Sequence, residues 1–273
     1  MLSQIRSLLQ DEEVEHQSLL EITIAGGATM FAFRTSGSKA VDYWQRLRIA
    51  LAENSFQSAA NKIKLAPVIL GTEQSFELTM EHLGEFEQAS PVALKEVIAD
   101  GEKIDLQNWL AERLERFVCP PGQWPAALKV GLVLEPEPLS GHEPLAICIW
   151  DQAMDKMVVS QYVYMALVPT ANAFEVPALL NFGGGENCPA QAVHYAMLKR
   201  WQEFYGATVL AIEPNAIECF VERPPMSKEQ ALKIAREHYG YSNAVIDEGE
   251  GEGEMAPYAY ELLNRQLWSF WWD

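Results

Sequence analysis

The stretch that most constrains this chain is Phe174–Gly206, FEVPALLNFGGGENCPAQAVHYAMLKRWQEFYG. It reads as a short apolar run, a tight glycine turn, then Asn-Cys-Pro opening a long amphipathic helix. The run Ala178–Phe182 predicts a strand, and Pro189–Tyr205 predicts the helix, with Val193, Met197, Trp201 and Phe204 near one face. Gly206 stands where a helix ends in a left-handed residue. Gly183, Gly184 and Gly185 suit a backbone turn needing positive φ. They also suit an anion cradle at a helix N-terminus, flanked by the polar groups of Asn181 and Asn187. No Gly-Lys-Ser/Thr follows, and the spacing of a dinucleotide fingerprint is absent, so neither a P-loop nor a nicotinamide site is expected.

Around this stretch the chain alternates strand and helix signals. Leu2–Leu9 has helical spacing. Leu19–Ala25 and Thr29–Phe33 flank Gly26-Gly27 as a hairpin. A helix is expected from Ser38 to about Asn54, a buried strand at Pro67–Gly71, and helices at Leu78–Phe86, Val92–Ile98 and Asp105–Phe117. Prolines 120, 121 and 125 break the pattern. After a brief strand signal at Leu128–Leu134, a second proline-rich piece runs to Pro144. Strands follow at Pro144–Trp150, Tyr162–Val168, Thr208–Ile212 and Ala216–Val221. Ser227-x-x-Gln230 is a capping box opening a helix at Lys228–Tyr239. A short helix at Tyr258–Asn264 precedes a last strand, Leu267–Trp272. These elements predict an α+β chain: an N-terminal α/β domain (1–118), a proline-rich linker (119–144), and a C-terminal domain (145–273) with a mixed sheet flanked by helices.

Cys188 is the candidate for chemistry. Proline in the first helical turn would place it at or beside the N-cap, where the helix dipole and free N–H groups lower a thiol pKa. His194, six residues on, is turned by about 240° on a helix, so a direct Cys–His couple along that helix is not expected. Glu175, Glu186 and Asp273 are candidate carboxylates for acid–base work. The five histidines show no metal spacing and no Cys-x-x-Cys exists, so neither metal nor cofactor is expected. In the closing Leu-Trp-Ser-Phe-Trp-Trp-Asp, alternation sends Trp268, Phe270 and Trp272 to one face and leaves Trp271 for a partner contact, with Asp273 beside it. The acidic loop Asp247–Glu254 lacks the ligand spacing of a calcium hand and reads as a solvated loop.

Charge narrows the partners. The chain holds 38 acids against 20 bases, net −18, divided as −9 in residues 1–144 and −9 in 145–273. Nucleic acid and anionic membrane are therefore poor partners, and a basic protein a good one. No basic leader with an apolar core and no apolar run of about eighteen residues is present, which predicts a cytoplasmic protein.

VPALLNFGGGENCPAQAVHYAMLKRWQEFYGA, VERPPMSKEQALKIAREHYGYS and LWSFWWD together resemble the bacterial domain of unknown function 4253, over about residues 160–273. The first half, through Trp44 and the Pro67–Gly71 strand, resembles the variable leader of such proteins. The acidic glycine loop departs from the pattern in length and charge. The resemblance implies a fold and motif positions but no reaction. Three functions are weighed from these features, the third a plain scaffold or regulatory module. The first is an immunity or antitoxin-like protein that covers the basic cleft of a bacterial toxin domain. The second is an enzyme using the Gly183–Cys188 turn as an anion or acyl site. Expected binding residues are Asn181, Gly183, Gly184, Gly185, Asn187, Trp271 and Asp273.

Overall fold

The computed structural model of the chain describes residues 1–57, 62–88, 94–120, 143–185, 187–249 and 254–272. Its elements form two compact units, each drawing on three stretches of chain. The first is Met1–Val97, Glu143–Phe182 and Val209–Pro214; the second is Ile98–His142, Gly183–Thr208 and Asn215–Asp273. The units are thus not the halves on either side of residues 119–144. The strand expected at Leu128–Leu134 lies outside the described residues.

In the first unit, strands run in the order β1 (Gln17–Thr23), β2 (Thr29–Ser36), β8 (Tyr162–Val168), β5 (Ala66–Gly71), β9 (Ala207–Glu213). Pairing is antiparallel except that β5 runs parallel to β9, with Ile69 opposite Ala211. The sheet is therefore mixed and the architecture α+β. Gly26 and Gly27, both at φ 75, turn the chain between β1 and β2. All six residues of β5 are buried, as a short continuous apolar run between turn signals suggests. Helix α1 (Leu2–Asp11) buries Ile5, Leu8 and Leu9. Helix α2 (Ala40–Glu53) buries Tyr43, Trp44, Leu47 and Leu51, and the indole N–H of Trp44 donates to the Pro67 carbonyl at 2.9 Å. That bond satisfies a donor which would otherwise cost about 1–3 kcal/mol when buried. The minor pair β3 (Phe56–Gln57) and β4 (Lys62–Ile63) and the helix α3 (Glu73–Gln88) complete the first stretch.

Two expectations for this unit are corrected. Ala178–Phe182 is not a strand: Val176–Leu179 forms a helical turn, α6, with Pro177 at its start and all four residues buried. A short apolar run without periodicity fits buried helix and buried strand equally, and proline pre-sets the helical φ. Pro144–Trp150 is only partly a strand. Leu145–Ile147 makes a 3-10 turn, and β6 (Cys148–Asp151) pairs with β7 (Lys156–Val159) as a hairpin of its own.

The chain leaves the first unit within α4 (Leu94–Gly101). In the second unit, α5 (Leu106–Arg116) is capped by Asp105, whose Oδ1 accepts from the backbone N–H groups of Gln107 and Asn108. Helix α7 (Gln191–Tyr205) ends at Gly206 with φ 64. Strand β10 (Ala216–Val221) pairs antiparallel with β11 (Leu267–Trp271). Half of the capping box expected for α8 (Lys228–Tyr241) is formed: Ser227 Oγ accepts from the Gln230 N–H, whereas Gln230 Oε1 accepts from the Met226 N–H, one residue before the cap. Short helices α9 (Ala244–Asp247) and α10 (Met255–Glu261) follow.

The core of this unit is aromatic. Trp201 stacks on Phe270 with centroids 5.1 Å apart and meets Trp268, His238 and Tyr241 edge to face. Its indole N–H donates to Glu237, which also pairs with Arg200 at 3.0 Å. β11 alternates as expected: Trp268 and Phe270 are buried, while Ser269 and Trp271 are half-buried.

Candidate functional site

The site lies in the second unit, where the glycine turn leads into α7. Gly183 and Gly184 adopt φ 108 and φ 87, a region that side chains with a Cβ rarely enter. A Cβ at Gly183 would sit 2.6 Å from both His194 Cδ2 and the Pro189 carbonyl oxygen, so glycine here lets the imidazole lie directly against the backbone. A Cβ at Gly184 would meet nothing within 4 Å, so that position needs glycine for its φ alone. The Gly184 N–H donates to the Pro189 carbonyl at 2.8 Å and closes the turn. Arg113 of α5 fastens it from outside, donating through Nη2 to the Asn187 carbonyl at 2.8 Å and through Nε to the Gly240 carbonyl at 3.0 Å.

Helix α7 begins at Gln191, with Ala190 as its N-cap. Cys188 therefore precedes the helix and belongs to the turn. This overturns the separation of Cys188 from His194 expected from a helical wheel. The Sγ lies 3.4 Å from His194 Nε2, because the turn folds back over the first helical residues. His194 Nδ1 in turn lies 2.5 Å from the Tyr241 hydroxyl, and the imidazole meets Tyr241 and Trp272 edge to face, each at 5.3 Å between centroids. The end of the chain reaches the site through Trp272, which packs on His194. Its indole N–H donates to the Tyr241 carbonyl at 3.1 Å.

The tautomer follows from donor counting. Tyr241 is fully buried, and among the described residues its hydroxyl proton has one acceptor, His194 Nδ1. A buried hydroxyl left without an acceptor is costly, so the phenol donates and the imidazole carries its proton on Nε2. That N–H faces Cys188 Sγ and the Pro189 carbonyl. His194 is thus a donor toward the sulfur and not a base poised to take its proton.

The electrostatics agree. Burial pushes the Cys188 thiol up to about 12, against the opposing pull of the Gly184 and Gly185 N–H groups and Arg113. The lowered thiol pKa expected from the helix dipole is therefore corrected: loss of solvation outweighs the donors. Burial likewise lowers His194 to about 3, opposed by its bond to the Pro189 carbonyl. Arg113 falls to about 10, chiefly through burial and then through Arg116. At neutral pH the group is a thiol, a neutral imidazole and a phenol. A thiolate formed there would be met by the Gly184 and Gly185 N–H groups, Arg113 and the imidazole N–H.

Of the residues expected at this site, Gly183, Gly184, Gly185, Asn187 and Cys188 are gathered with His194. Asn181 belongs to the first unit and takes φ 53. Trp271 is half-buried, its Nε1 reaching Glu248 at 3.5 Å and its carbonyl accepting from Ser242 at 2.7 Å, so it is not a free aromatic anchor. Glu175 lies in the first unit, bound by Thr170 and by Asn172 at 3.0 Å. Glu186 and Asp273 lie outside the described residues. Sequence reading missed Arg113 and Tyr241. Tyr241 carried a usable signal, three residues after His238 on a helix whose face is apolar; Arg113 carried none.

Among the described residues, no group of three or more His, Cys, Asp or Glu side chains is placed to hold a metal ion, and no helix is long and apolar enough to cross a membrane. The family model described as a domain of unknown function, DUF4253, matches residues 164–273. The resemblance expected for the C-terminal part is thereby borne out, and the matched stretch carries β8 from Tyr164 on, the turn, α7 and the terminal tryptophans. No curated protein and no solved structure matches the chain.

Proposed function

We propose that the protein is an acidic binding protein of the immunity or antitoxin kind, which neutralises a bacterial toxin domain by covering its basic cleft. The observation that supports this reading most directly is the outer face of α3. Glu73, Glu77 and Glu81 stand at four-residue spacing along it, all exposed, and none is in an ion pair with a described residue. Like charges at that spacing cost an isolated helix about 0.2–0.5 kcal/mol per pair; the helix dipole offsets this at Glu73, in the first turn, but not at Glu77 and Glu81 further along. In a chain of net charge −18 the stripe is well suited to draw in a basic surface. A cytoplasmic location belongs to the same proposal and accords with the four free cysteines.

The test compares the wild-type chain with a Glu73→Lys/Glu77→Lys/Glu81→Lys variant. Each is co-expressed with the product of the neighbouring gene, which the reading expects to be toxic when expressed alone, and association with that product is measured from low to high salt. The reading expects protection by the wild type, steep loss of association rate with salt, and association about tenfold or more slower in the variant. Equal protection and equal, salt-insensitive association would refute it.

A second reading, an enzyme using the Gly183–Cys188 turn as an acyl site, is favoured by the 3.4 Å approach of Cys188 Sγ to His194. It predicts a fast-reacting thiol, in opposition to the burial described above.

A further inference from the structure

We propose that the β6–β7 hairpin of the first unit is the apolar anchor by which the protein seats in a basic protein partner. The inference rests on the binding reading above and names the contact that holds the partner once charge has brought it in.

Trp150 and Met157 are a direct cross-strand pair, with Ile149 and Val158 the next pair along. Directly opposed residues share a face, and successive pairs alternate. Both faces nevertheless carry exposed apolar side chains: Trp150 is 56% exposed, Met157 45% and Ile149 43%, with Met154 at the turn 61%. Single exposed apolar residues are ordinary, but four on one twelve-residue hairpin mark a contact surface. Tryptophan and methionine are enriched where proteins meet, and tryptophan is frequent among the residues whose loss costs most binding.

The hairpin is also held ready. At its base Ala146 and Ile147 are buried, and the Ser160 N–H donates to the Ile147 carbonyl at 2.8 Å. Gly37 lies so close beneath that a Cβ there would be 2.1 Å from the Ser160 carbonyl oxygen. At the tip, Asp151 Oδ1 accepts from the Ala153 and Met154 N–H groups at 2.8 and 3.1 Å, and Asp155 takes φ 51. A surface ordered before binding loses little entropy on association.

Charge selects the occupant. At the tip Asp151 and Asp155 flank Met154, and Lys156 lies directly opposite Asp151, so two acids and one base leave the tip with a single net negative charge; the chain as a whole is −18. A second copy would bring two such charges together, whereas a partner presenting an apolar socket rimmed by lysine and arginine would be attracted.

The test is photo-crosslinking of the full chain in its native cells, with benzoylphenylalanine replacing Met157 or, as a comparison, Ile49 on α2. The proposal expects an adduct from position 157 with a protein of pI above about 9. The adduct is lost when Trp150→Glu is added, is kept with Trp150→Phe, and neither change moves the melting temperature. An adduct with a second copy or with an acidic protein overturns the proposal. If position 157 gives no adduct while the α3 stripe still governs capture of a basic partner, the hairpin is refuted and the binding reading stands. If no basic partner is captured by any form of the chain, both fall.

Discussion

Acid should weaken the second unit through His194, and the size of the effect can be worked from the structure. The imidazole is fully buried, with burial lowering it to about 3 in the folded chain, whereas an unfolded histidine titrates near 6.5. As pH falls, the unfolded state takes up its proton first. Stability from this group is therefore whole above about pH 6.5 and is lost progressively as pH drops toward 3. Each pH unit in that window costs about 1.4 kcal/mol, so about 2 kcal/mol is gone by pH 5. The perturbation is His194→Asn, which keeps an acceptor near the Tyr241 hydroxyl and removes the titration. Loss of the Nε2 donor and of packing should leave the variant less stable at pH 7, by about 1–3 kcal/mol. At pH 5 the gap should shrink by about 2 kcal/mol. Other groups contribute slopes of their own: His238, fully buried and lowered well below its ordinary range by burial, has the same sign, and Glu213, raised by burial, the opposite one. Both are present in both proteins and cancel in the difference. The assay is hydrogen exchange of α7 backbone amides at pH 7 and pH 5. A gap that is the same at both pH values would refute the assigned burial and tautomer of His194.

Gly183→Ala should destabilise by about 2 kcal/mol or more, because a Cβ there meets His194 and the Pro189 carbonyl, while Gly184→Ala should cost only the left-handed backbone, about 1 kcal/mol; equal melting-temperature shifts would contradict the geometry. Cys188, pushed up to about 12, should be alkylated by iodoacetamide at pH 7.4 at least about a hundredfold more slowly than in the unfolded chain. Rapid labelling would instead favour the enzyme reading. Arg113→Met should loosen the turn by removing two bonds to backbone carbonyls, seen as faster exchange of the Gly184 amide; unchanged exchange would show that the turn holds itself.

Local chemistry was legible without coordinates wherever one residue's own conformational limits decide the outcome. Gly26-Gly27 marks the hairpin turn, Gly206 ends α7, Ser227 caps its helix, and the two-residue alternation of β11 buries Trp268 and Phe270. Each follows from φ preference, donor satisfaction or side-chain period within a few residues. The C-terminal resemblance was legible for the same reason, since its motifs are contiguous. What lay beyond the sequence depends on contacts between distant stretches. Whether Val176–Leu179 is helix or strand turns on what surrounds a run that is apolar on every side. Cys188 meets His194 because the chain reverses before α7 starts, so helical periodicity did not apply to that pair. Arg113 reaches the turn across 74 residues of sequence, and Tyr241 reaches His194 across 47. The thiol's direction of shift was decided there too: a helix terminus favours a thiolate only where water or donors replace lost solvation, and how much solvation is lost is a property of the packed fold.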